Sequence, residues 1–230
     1  MLKNINYPGW ELKFFDRAKN YRQYQFDLIK KYIQGNIAEI GPGNGVSASY
    51  YINLSNKLDL YEPTYKLFKK LQKSFRHQKK INIFNKEFKK KRKKYNTILC
   101  LDVLEHIKDD HKQINNMYFS IKKHGFLIIN VPAFQSLYYQ FDKDVGHYRR
   151  YRKEDFKKIF QKLKIKNIRY IYYDSIGCLL SLISKIFITN YKNNFEKKIK
   201  LWDSLMWFSK ILDKIVFNYF GKSLMIIIQK

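Results

Sequence analysis

Four stretches of this sequence carry side chains able to do chemistry. In Glu39-Ile-Gly-Pro-Gly-Asn-Gly45, three glycines let the backbone turn tightly and approach a ligand without Cβ clashes. The helix expected after that turn offers free N–H groups to an anionic group. Glu62 stands at the tip of Leu58-Asp-Leu-Tyr-Glu-Pro63, about 20 residues beyond the turn, where an acid can accept both hydroxyls of a ribose. The stretch Asp102-Val-Leu-Glu-His-Ile107 brings an acid and His106 to the end of an apolar run. The fourth, Asp144-Val-Gly-His-Tyr-Arg-Arg-Tyr151, gathers an acid, an imidazole, phenols and guanidiniums in one loop. The glycine turn fits neither G-x-G-x-x-G nor G-x-x-x-x-G-K-[ST], so a dinucleotide fold and a P-loop are not the leading readings.

Among groups able to move a proton, His147 ranks first and His106 second, with a helix-start histidine of purely structural use as the alternative for His106. Arg149 and Arg150, beside Asp144 and Tyr148, can grip a phosphate or carboxylate of a substrate through paired hydrogen bonds; the plainer alternative is a solvated basic turn. No metal is expected. Cys100 and Cys178 sit in apolar surroundings and read as core thiols.

These residues need a scaffold, and the apolar pattern supplies one. Spacing at Phe15, Ala18, Tyr21, Tyr24, Leu28 and Tyr32 predicts a helix over 12–33, capped by Gly35. Short apolar runs at 36–40, 58–61, 81–84, 97–101 and 126–131 predict strands, and 46–54, 65–76 and 110–122 predict helices between them. Strands alternating with helices imply a parallel sheet covered on both faces, with Gly41, Glu62 and Asp102 meeting beyond the strand ends. Residues 156–163 read as a helix, 165–173 as a strand and 223–228 as a closing strand. Between the last two strands, Leu201, Leu205, Phe208, Leu212, Ile215 and Tyr219 recur at helical spacing, which predicts a stripe packed on the sheet, with membrane insertion as the alternative.

Length and charge bound the remaining possibilities. At 230 residues the chain suits one full-sized domain. With 45% apolar and 17% aromatic residues it can build a core, which excludes disorder as its main state. Lys and Arg outnumber Asp and Glu by 46 to 19, a net charge of +27 that favours anionic partners. A basic run at 89–94 suggests nucleic acid, yet Lys is spread throughout the chain, so nucleic acid is an unlikely partner. An anionic membrane is the other candidate, with Trp202 and Trp207 suited to its interface. No secretion signal or membrane-spanning run stands out, so a cytoplasmic protein is expected, peripheral at the inner membrane face if it meets lipid.

Taken in order, the glycine turn, Glu62 and the 102–107 stretch resemble class I S-adenosylmethionine-dependent methyltransferases, over about 35–132. The rest is similar to a bacterial subgroup with Phe15-Asp-Arg-Ala-Lys-Asn-Tyr21, Gly146-His-Tyr-Arg-Arg-Tyr151 and a closing Gly221-Lys-Ser223. The resemblance implies a Rossmann-like seven-stranded sheet in the order 3-2-1-4-5-7-6 with the last strand antiparallel. A helical cap at 1–34, a core at 35–174, an insert or lid at 175–220 and a final strand at 221–230 would form one domain. It also implies S-adenosylmethionine as cofactor. Glu39, Gly41, Pro42, Gly43, Asn44 and Gly45 would wrap its methionine part, Glu62 and Pro63 would lie at the ribose, and Asp102 and Val103 beside the adenosine or sulfonium. Where the family offers an acid near adenine, this chain has Phe84-Asn-Lys-Glu87, so Asn85 or Glu87 would serve. The implied activity is methyl transfer to an oxygen or nitrogen of a small-molecule, glycan or lipid-linked acceptor. An RNA or protein methyltransferase, and a non-catalytic module binding anionic partners, are the rivals.

Overall fold

The computed structural model describes residues 7–187 and 191–230. Seven strands, β1 (Gly35–Ile40), β2 (Ser55–Tyr61), β3 (Ile81–Phe84), β4 (Tyr95–Leu101), β5 (Ile121–Pro132), β6 (Asn167–Tyr173) and β7 (Ser223–Gln229), form one sheet in the order β3-β2-β1-β4-β5-β7-β6. The pairings β2–β3, β1–β2, β1–β4 and β4–β5 are parallel, whereas β7 runs antiparallel to both β5 and β6. The expected order and the antiparallel last strand are both present.

Central strands of a parallel sheet are covered on both faces and so read as continuous apolar runs. Accordingly Ile98, Leu99, Cys100 and Ile128, Ile129 of β4 and β5 are buried without alternation. One face packs on α5 (Asp110–Ser120) and α7 (Lys153–Phe160) through Ile114, Met117, Phe156 and Ile159. The other packs on α2 (Lys19–Ile29) and α3 (Val46–Tyr51) through Tyr21, Tyr24, Ala48 and Tyr51. Cys100 and Cys178 are free and buried, as core thiols should be.

Three expectations change. The single helix over 12–33 is two pieces, α1 (Leu12–Phe15) and α2, because Ala18 leaves helical geometry at ψ 72°. Gly35 does not cap a helix but opens β1, in a left-handed conformation with the Asn96 side chain packed where a Cβ would sit. The third change concerns the insert, which forms α8 (Ser175–Phe187), α9 (Phe195–Ser204) and α10 (Met206–Ile215). Its buried face is Trp202, Met206, Ser209 and Asp213, one step round from the predicted stripe. Asp213 is the reason: its carboxylate accepts from Tyr24 Oη (2.9 Å) and from the backbone N–H groups of Asp174 (2.8 Å) and Ser175 (2.9 Å) at the start of α8. A buried acid answered by that many donors orients α10 by its polar side. Most of the apolar stripe is thereby left in solvent, with Ile215 65% and Tyr219 73% exposed, alongside Trp207 at 63% and Phe217 at 79%, while Leu205 and Leu212 are half-buried.

Candidate active site

A cleft of about 990 Å³ opens beyond the carboxyl ends of β1, β2 and β4. Its floor is the turn between β1 and α3. Gly41 (φ +64°) lies so close to the next loop that a Cβ would stand 2.7 Å from Val103, and Gly45 (φ +81°) is equally tight against Leu71 and Phe75. Gly45 therefore serves helix packing, while Gly41, Pro42, Gly43 and Asn44 line the cleft. Glu62, only 3% exposed, accepts from Gly43 N (3.2 Å) and Thr64 N (2.8 Å), one donor on each carboxylate oxygen. Each oxygen keeps lone-pair capacity for a further hydroxyl donor. Burial pushes the Glu62 carboxyl above its usual range.

Asp102 follows β4 in a left-handed conformation (φ +57°). It accepts from Asn130 Nδ2 (2.6 Å) and Gln25 Nε2 (3.2 Å) and lies 3.5 Å from Arg22 Nη1. Asn130 is thus spent on Asp102 and Tyr173 rather than offered to a ligand. Two buried polar atoms in the cleft wall have no hydrogen-bond partner among the described residues: Glu39 Oε2 and Arg22 Nε. Burial also pushes Glu39 up to about 7. The N-terminal segment closes this end of the cleft, with Asn44 Nδ2 donating to Asp16 (2.6 Å) and Leu12 against Gly43.

A smaller chamber of about 120 Å³ shares Tyr7, Leu12, Arg22, Asp102 and His106 with the cleft. Its own lining adds Glu11, Glu105, His147, Arg150, Asp174 and Lys222. His147 reaches it because Nδ1 is held 2.8 Å from Asp142, leaving Nε2 3.8 Å from Glu105 Oε1. His106 donates from Nδ1 to Gly146 O (3.3 Å), and burial together with nearby His147 lowers it to about 3, so the ring is neutral. Burial, reinforced by the Asp102 charge, lifts Glu105 well above the carboxylate range.

The 144–151 loop divides. His147 enters the chamber and Tyr148 lines the outer cleft, but Asp144, Arg149 and Arg150 are committed within the protein. Arg150 is buried and gives Nε and Nη2 to Asp142 (2.8 and 3.0 Å). Arg149 pairs with Asp110 (2.6 Å), and Asp144 is held to about 2 by Lys192, Tyr191 and Gln140 outside the site. The expected grip on a phosphate or carboxylate therefore gives way to internal ion pairs. Asn85 is also corrected: its amide donates to the carbonyls of Glu62 and Pro63 (both 3.0 Å), and Glu87 lines the cleft instead. Glu105 and Asp142 escaped the sequence reading. Asp142 lies outside every motif. Glu105 sat unremarked inside the 102–107 stretch.

Residues 15–169 match the family model described as a methyltransferase domain. The chain belongs to this methyltransferase family. No curated protein matches it in sequence. Solved structures share the methyltransferase fold at low identity. One is a SAM-dependent methyltransferase from Archaeoglobus fulgidus, 15% identical, covering 96% of this chain and 98% of that one with a TM-score of 0.66. A possible histamine N-methyltransferase from Thermotoga maritima is 14% identical over 97% and 95%, with a TM-score of 0.63. The N-methyltransferase NodS from Bradyrhizobium japonicum, solved with S-adenosyl-L-homocysteine, is 12% identical over 96% and 91%, with a TM-score of 0.59. Among the described residues, no helix of the methyltransferase is long and apolar enough to cross a membrane.

Proposed function

We propose that this methyltransferase moves a methyl group from S-adenosylmethionine to a small polar acceptor group seated in the inner chamber. The residues fit the cofactor. Glu39 Oε2 and Arg22 Nε, buried, unpartnered and of opposite charge, match the ammonium and carboxylate of a methionine moiety. The free capacity on both oxygens of Glu62 matches a ribose diol. S-adenosylmethionine supplies a methyl group on a sulfonium, open to in-line attack. The protein's task is then to align the acceptor and exclude water. Asp102, anchored from β5 and α2, forms the boundary between cleft and chamber. His147, fixed through Nδ1, keeps Nε2 beside Glu105 in the chamber, and His106, held at Nδ1, lines the chamber next to it; these imidazoles would activate the acceptor nucleophile.

The chamber's size and lining favour the acceptor reading: about 120 Å³, with Glu11, Glu105, His147 and Lys222 set among Leu12, Phe15, Phe141 and Trp202, suits a small acceptor group. With methyl-labelled S-adenosylmethionine and fractionated cell extract, label enters the small-molecule or lipid fraction. Label confined to RNA or protein would overturn this reading.

The solvent-facing apolar residues of α10, with exposed Leu179 and Ile183 on the α8 helix that contacts it, favour a peripheral seat on an anionic membrane. Lys200 and Lys214 are exposed in the same insert. A lipid-linked acceptor would meet the enzyme there.

A further inference from the structure

Glu105, His106 and His147 converge although 40 positions separate the two histidines, so no sequence spacing advertises them. One ligand atom from each lies within 4.8 Å of the others. Both imidazoles are braced from behind. His147 Nδ1 faces the buried Asp142 carboxylate at 2.8 Å, and His106 Nδ1 faces the Gly146 carbonyl, which can only accept. A ring that donates from Nδ1 in this way can offer Nε2 as a ligand atom. Metal-binding histidines are oriented by the same kind of carboxylate or carbonyl brace. Glu105 adds an independent sign: it is 1% exposed, and its Oε2 has no hydrogen-bond partner among the described residues. A buried carboxyl oxygen without a partner, beside two imidazoles, has coordination capacity that the protein itself does not fill.

We propose that Glu105, His106 and His147 form a divalent-metal site that holds and activates the acceptor, a deepening that rests on reading the chamber as the acceptor site. Two nitrogens and one oxygen suit zinc-like ions better than Mg²⁺ or Ca²⁺, which prefer all-oxygen shells. Bonds of about 2.0–2.2 Å set tetrahedral ligand atoms roughly 3.3 Å apart, so the 3.8 Å between His147 Nε2 and Glu105 Oε1, and the limit of 4.8 Å across the trio, require the three side chains to close on the ion by rotamer adjustment. Three protein ligands leave a position open, as catalytic sites do. Since His106 lines both chamber and cleft, that position borders the donor side. An acceptor hydroxyl or carboxylate oxygen is the chemistry it would take, and the imidazoles then act as ligands rather than as bases.

Co²⁺ titration of the whole chain, read by visible ligand-field absorption and competed with Zn²⁺, tests the proposal. One Co²⁺ per chain is expected, displaced by Zn²⁺. Glu105→Gln and His147→Ala should each weaken it by about 100-fold or more while leaving S-adenosylhomocysteine affinity in place, which also certifies their folding. If His147→Ala misfolds, His147→Gln replaces it, with the same expected loss. Wild-type protein that binds S-adenosylhomocysteine yet takes up no Co²⁺, or uptake unchanged in the variants, overturns the metal site and leaves the methyltransferase reading standing. Failure of the nucleoside to bind would count against that reading instead.

Discussion

Asp142 ties the acceptor side together, and replacing it with Asn separates its two duties. The carboxylate is fully buried and accepts from Arg150 Nε (2.8 Å) and Nη2 (3.0 Å), from His147 Nδ1 (2.8 Å) and from Tyr139 N (3.0 Å). Asn keeps the shape but strands the buried Arg150 guanidinium without a counter-charge. Breaking a buried pair from one side costs about 3–5 kcal/mol. For a chain of this size that lowers the unfolding midpoint by roughly 6–20 °C. Adding Arg150→Met should restore much of the loss, since the uncompensated charge goes with it. Thermal unfolding by circular dichroism reads both variants. The pH dependence has a definite sign. Burial alone would raise the Asp142 carboxyl, but the His147 hydrogen bond and the Arg150 charge outweigh it, and the net shift is downward. Its contribution is therefore complete above the ordinary Asp value of about 4 and fades as pH falls below it. Asp142→Asn should flatten that acid limb. A midpoint within 2 °C of wild type would refute the reasoning, as roughly 3 kcal/mol could not hide there.

Further outcomes follow from the same geometry. Glu39, raised to about 7 by burial, must ionise to hold an ammonium, so S-adenosylhomocysteine affinity should fall about tenfold from pH 8 to pH 6, and Glu39→Gln should lose that slope in calorimetric titrations. Gly41→Ala forces a Cβ to within 2.7 Å of Val103 at φ +64°; binding should weaken by tenfold or more, and Val103→Ala in the same chain should recover part of it. Co-sedimentation with anionic vesicles at low salt should detect the wild type and drop sharply in Trp207→Ser with Ile215→Ser, whereas no wild-type binding would remove the membrane seat.

The donor half of the site is legible in the sequence because it is local. Residues 39–45, Glu62 and Asp102 each end a short apolar run, and a parallel sheet brings those ends together whatever the details of packing. The acceptor half is legible only at His106 and His147. Glu11, Arg22, Glu105 and Lys222 come from segments spread along the chain, with Asp142 behind His147, and their meeting depends on how α1, α2 and the 144–151 loop fold over the strand ends. The insert misleads for a different reason. Periodicity measures where apolar residues recur, but Asp213, answered by Tyr24 and the start of α8, turns α10 by a polar face that hydrophobic spacing cannot see. Asn85 and Arg150 show the same limit: the residue types were suitable for ligands, yet neighbouring backbone and carboxylate groups had already engaged them.

Calorimetric titration with S-adenosylhomocysteine tests the central claim most directly. The account predicts one saturable site per chain in the wild type. In Glu62→Ala, the loss of two charge-assisted hydrogen bonds from the ribose hydroxyls, about 1.5 kcal/mol each, should weaken binding roughly 150-fold. A folded wild-type chain without saturable binding, or a Glu62→Ala chain that binds as tightly as wild type, would contradict it.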